Sequence, residues 1–96
     1  QWIASQGASG ERAQFRAADL TGQNFGSCDL RAADFSGAKL AGAIFDDAQL
    51  MFTVFAGADL RGARFDHAGL NGVDLSGANL SGARLRGAQF LGVDIY

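Results

Sequence analysis

Large apolar residues recur at every fifth position from Phe15 to Ile95: Phe15, Leu20, Phe25, Leu30, Phe35, Leu40, and so on without a slip in phase. Two positions before each stands a small residue, such as Ala18, Cys28, Thr53, Ala58 or Val73, and between the two stands a residue that is usually polar, such as Asp19, Asp29, Asp59, Asp74 or Asn79. Small, polar, large is the alternation of a strand with one face turned inward. The remaining two positions of each block are polar or small and commonly end in glycine, as at Gly22, Gly42, Gly62 and Gly82.

A period of five excludes the regular elements. Five residues at roughly 100° each leave successive apolar positions about 140° apart around a helix, so no apolar face forms. In a straight strand an odd period sends alternate apolar residues to opposite faces. The chain must turn a corner in every block, and a type II turn, with positive φ at its third residue, suits the recurring glycine. The pattern predicts an all-β coil of very short strands stacked on itself, a β-solenoid.

The alternation of Phe and Leu sets the number of sides. A three-sided coil would place Phe15 beside Leu30 beside Phe45, mixing sizes in each column. A four-sided coil of twenty residues stacks Phe15, Phe35 and Phe55 on one side and Phe25, Phe45 and Phe65 on the opposite side, with leucines on the other two. Like on like packs at uniform density, so the four-sided coil is expected, with about four coils in the chain.

The blocks resemble the pentapeptide repeat family, whose consensus is A(D/N)LxX. Ala18–Asp19–Leu20, Ala58–Asp59–Leu60 and Ala78–Asn79–Leu80 match that motif residue for residue, and seventeen blocks run in phase over residues 11–95. The resemblance implies a right-handed quadrilateral parallel β-helix. It also implies that the C-terminal end can pair with a second copy, and it raises the mimicry of duplex DNA against DNA gyrase as one function. Later blocks depart mildly, with Leu75, Leu85 and Ile95 where Phe would continue the alternation.

Two segments divide the chain: residues 1–10, outside the repeat, and residues 11–96, the β-helix. Open solenoid ends expose apolar side chains and unpaired backbone, so a cap is needed. Trp2 and Ile3, the only large apolar residues of the first segment, are read as that cap. At the other end Leu91, Ile95 and Tyr96 are apolar, and homodimerisation through the C-terminal coil would cover them.

Ninety-six residues carry a formal net charge of −2, with both signs interspersed. This argues against direct binding of nucleic acid or of an acidic membrane surface. No apolar run approaches the roughly twenty residues of a membrane span. The single cysteine, Cys28, sits in an inward small-residue slot and is read as a small core residue. It offers no sign of an oxidising compartment, so the cytoplasm is the default expectation.

Two places break the pattern. Ile44 and Val54 stand in slots that are otherwise polar, and Met51–Phe52 replaces a polar–glycine corner; these four residues form the candidate partner surface, with local packing at an irregular corner as the alternative. Asp46–Asp47 and Asp66–His67 lie one coil apart and could in principle ligate a metal or exchange protons. Arg64 and Arg86, expected to flank Asp66, favour a solvated charge ladder instead. With no phosphate loop, zinc spacing or catalytic triad, no catalytic, cofactor or metal site is assigned. The expected role is that of a non-enzymatic structural or protein-interaction module with an unidentified protein partner. The alternative is a DNA-mimicking gyrase inhibitor, although Val54 interrupts the acidic column Asp34, Asp74, Asp94.

Overall fold

The computed structural model describes residues 13–93. The expected Trp2–Ile3 cap, the boundary after residue 10, and Ile95 and Tyr96 at the end lie outside them. The chain winds into a right-handed four-sided β-helix with one turn of the coil every twenty residues. Each side pairs with the next coil through a single-residue parallel bridge. The first side carries Gln14, Asp34, Val54 and Asp74; the second Asp19, Lys39, Asp59 and Asn79; the third Asn24, Ile44, Arg64 and Arg84; the fourth Asp29, Gln49, Gly69 and Gln89.

All of these bridging residues but Gly69, which has no side chain, point a side chain outward, while their two neighbours point in. Ala33, Ala38, Ala43, Ala48, Ala58, Ala63 and Ala68 are completely or almost completely buried. So are the central residues from Phe25 to Leu70. A small residue beside each large one lets the chain turn toward the axis without overpacking.

The phenylalanines form two columns. Phe15, Phe35 and Phe55 stack at centroid spacings of 4.8 and 5.1 Å, and Phe25, Phe45 and Phe65 at 5.1 and 5.0 Å. Rings of opposite columns meet edge to face at 5.5–6.1 Å. The stacked spacing is that of neighbouring strands, so backbone pairing and ring stacking demand the same rise. Thr53 replaces the usual alanine in one inward slot, and its hydroxyl donates to the carbonyl of Leu30 at 2.8 Å. That bond satisfies a buried hydroxyl that would otherwise be costly.

Corners repeat with the same backbone. The second corner residue has φ between 56° and 73° throughout, and the next residue's N–H closes the turn to the central residue's carbonyl at 2.9–3.2 Å. Glycine fills ten of these positions, but Ala17, Ser27, Ala32, Asp47, Phe52 and His67 fill six more. A side chain there costs on the order of 1–2 kcal/mol, so the six carry strain that the stacked neighbours must hold.

Candidate interaction edge

The consensus aspartate has a backbone reason. In each five-residue block from 31 to 70, four N–H groups are held by the coil: one closes the turn, and three bond to carbonyls of adjacent coils at 2.7–3.0 Å. The N–H left over is that of the first corner residue. Where the outward residue two positions earlier is Asp or Asn, its side chain accepts that N–H: Asp19 from Thr21, Asn24 from Gly26, Asp29 from Arg31, Asp34 from Ser36, Asp59 from Arg61, Asp74 from Ser76 and Asn79 from Ser81, at 2.8–3.3 Å. The first corner side chain then often bonds the same carboxylate, as Arg31 does to Asp29 and Ser76 to Asp74. Hydrogen bonds from Thr21, Arg31, Arg61 and Ser76 hold the carboxyls of Asp19, Asp29, Asp59 and Asp74, respectively, below the ordinary aspartate value.

Arginine in the outward slot cannot accept, and there the corner is capped from the preceding coil. Asp46 Oδ1 accepts the N–H of Asp66 at 3.1 Å while its Oδ2 takes Arg64 at 2.7 Å. Asp66 repeats this one coil on, accepting the N–H of Arg86 at 3.3 Å and Arg84 at 2.8 Å. The expected flanking of Asp66 by Arg64 and Arg86 side chains is therefore corrected: each outward arginine reaches back to the previous coil's aspartate, and Arg86 contributes its backbone. The cluster is not simply solvated either, since Asp66 is only 7% exposed. Among the described residues no three His, Cys, Asp or Glu side chains converge as a metal ion would need.

Of the candidate partner surface, three residues meet and one does not. Met51 and Phe52 make the corner between the fourth and first sides, and Val54 follows on the first side. Ile44 lies on the third side, bridged to Asn24 and Arg64, and so on the opposite face of the coil from Val54. Half a coil separates the two residues, which proximity in the chain concealed.

Met51 and Phe52 rest on glycines of the next coil. A Cβ on Gly69 would come 3.0 Å from Met51 Sδ, and one on Gly72 would come 2.6 Å from Phe52 Cδ1. Gly69 is the one glycine in an outward slot, a signal open to view in the sequence but legible only once it is paired with Met51. Met51 is half-buried by this contact, whereas the Phe52 ring stays 70% exposed. Two coils further along the same corner column, Leu91 is 78% exposed, and its N–H donates to Asn71 Oδ1 at 2.9 Å. Phe52 and Leu91 thus share one edge, which the sequence pattern alone had divided between a side and an end. His67 makes the parallel contact elsewhere, its ring lying over Gly87.

Cys28 is buried in its inward slot. Among the described residues no helix is long and apolar enough to cross a membrane.

Comparison with known proteins agrees with this geometry. A family model for pentapeptide repeats matches in overlapping stretches at residues 13–50, 28–66, 43–82 and 63–96. No curated protein sequence matches. Among solved structures, HetL, a pentapeptide repeat protein involved in heterocyst differentiation regulation in the cyanobacterium Nostoc sp. strain PCC 7120, is 32% identical with a TM-score of 0.80. The match covers 81% of this chain but 36% of HetL, so this chain spans little more than a third of that protein's length. A second Nostoc pentapeptide repeat protein is 33% identical over 90% of this chain and 70% of its own, with a TM-score of 0.62. One from the Arabidopsis thaliana thylakoid lumen is 30% identical over 82% of this chain and 62% of its own, at 0.53.

Proposed function

This chain belongs to the pentapeptide repeat family, and on that premise we propose that it acts as a non-enzymatic protein-interaction module, a rigid four-sided rod that presents its outer surface to a protein partner. The observation that carries the reading is Phe52. A large aromatic residue held at φ 61°, where glycine serves at most corners, and still 70% exposed, is a poor choice for folding alone. Strain kept at an exposed position points to use by something outside the coil. The interior agrees with the non-enzymatic part, since stacked rings and alanines fill the axis of the coil.

The test of the module itself is site-specific photo-crosslinking in cell extract from positions 52 and 39, on different parts of the outer surface, together with a DNA gyrase supercoiling assay. A saturable protein adduct and unimpaired supercoiling are expected. Stoichiometric inhibition of supercoiling would replace the reading with gyrase mimicry, and the absence of any saturable adduct from either position would remove it.

A further inference from the structure

We infer that the edge between the fourth and first sides is a docking site for a basic amphipathic helix of a partner protein, an inference that rests on the interaction-module reading above. The apolar part of the site is Phe52 with its ring across Gly72, Val54 beside it, and Leu91 further down the same edge. From Phe52 to Leu91 is two coils, roughly 10 Å at one strand spacing per coil.

Among its described outward slots the first side carries charge of one sign. Asp34 and Asp74 stand on the first side, one coil to either side of Val54. No basic residue occupies a described outward slot of that side. Arg31, at the head of the edge, is engaged by Asp29 at 2.6 Å. The third side differs, with Arg64 and Arg84 in its outward slots.

The spacing fits a helix running along the rod. Asp34 and Asp74 are two coils apart, roughly 10 Å, and two helical turns of seven residues rise about 10.5 Å. Basic residues at i and i+7 would face the two aspartates, with an apolar residue at i+3 or i+4 over Val54 and Phe52. A second copy of this chain fits less well. A two-fold contact on this edge would bring the Asp34–Asp74 side against its own image, like charge on like.

The probe is a labelled amphipathic helical peptide of leucine and lysine, with its leucine–glutamate counterpart as control, titrated into the full chain and read by fluorescence anisotropy. The leucine–lysine peptide should saturate, and the leucine–glutamate peptide should not bind. Binding should weaken by about tenfold or more in Phe52→Gly, by several-fold in Asp34→Asn with Asp74→Asn, and with rising salt. Asparagine still accepts the corner N–H, and glycine suits the corner, so circular dichroism and Tm should confirm that these variants fold. Absent saturation, equal binding of both peptides, or full binding by Phe52→Gly would overturn the proposal. So would a doubled mass of the wild-type chain that Phe52→Gly reduces to the monomer, which would assign the edge to a second copy. A protein partner cross-linked through position 39 but not 52 would leave the module reading standing and remove this edge from it.

Discussion

Asp46 Oδ1 accepts the backbone N–H of Asp66 at 3.1 Å, and Asp66 in turn accepts that of Arg86, so each aspartate caps the corner of the next coil. The same two carboxylates hold Arg64 and Arg84, leaving little capacity for a metal or a substrate. Asp66→Ala should therefore destabilise the chain by about 1–3 kcal/mol in urea denaturation, because the Arg86 N–H loses a charged acceptor and Arg84 its partner. Asp66→Asn should cost less, since its amide oxygen still accepts. A loss in Asp66→Ala below about 0.5 kcal/mol, the scale of an ordinary surface change, would mean the ladder is merely solvated.

Acid should unfold the coil through its corner caps. Asp19, Asp29, Asp59 and Asp74 have folded values lowered from 3.8 by the hydrogen bonds they accept. Their contribution is full above the unfolded value and is lost as pH falls through the lower folded values. Tm should stay level from about pH 7 to pH 5 and fall below about pH 4. Asp59→Asn with Asp74→Asn should make the acid slope shallower, and a slope unchanged in that variant would place the acid sensitivity elsewhere.

Phe52 and Gly72 should be coupled. Gly72→Ala puts a methyl group 2.6 Å from the ring at a position whose φ of 73° already favours glycine. It should lower stability by more than the roughly 1 kcal/mol of left-handed strain, and by less when Phe52 is also glycine. A double-mutant cycle measures this coupling, expected at about 0.5 kcal/mol or more for residues in contact. Phe52→Gly alone should leave Tm unchanged or raised. A sharp fall in that single variant would make Phe52 a packing residue and weaken the docking edge.

In the core, Phe45 stacks on Phe25 and Phe65 and meets Phe35 and Phe55 edge to face. Phe45→Ala should cost about 3–5 kcal/mol in chemical denaturation. Phe45→Leu, already the natural residue on two of the four sides, should cost markedly less.

The columns of the coil could be read in advance because Phe and Leu alternate, and only a twenty-residue coil places like over like. Corners could be read from glycine, although Asp47, Phe52 and His67 show that stacked backbones can impose positive φ on other residues. The reason for the consensus aspartate could not, because polarity at a slot does not reveal which backbone N–H lacks a partner. Nor could the pairing of Arg64 with Asp46, which depends on how far a side chain leans toward the previous coil. Ile44 was separable from Val54 by counting ten residues, half a coil, yet their closeness in sequence grouped them. The contact of Met51 and Phe52 with Gly69 and Gly72 needed both coils in view.

The most direct test of the working surface is an NMR titration of the isotope-labelled 10.0 kDa chain with the leucine–lysine peptide. Shift changes should concentrate at Met51, Phe52, Val54, Gly72 and Leu91, with Asp34 and Asp74 beside them. Changes centred on the second side, at Asp19, Lys39 and Asp59, or spread evenly over all four sides, would contradict the docking edge.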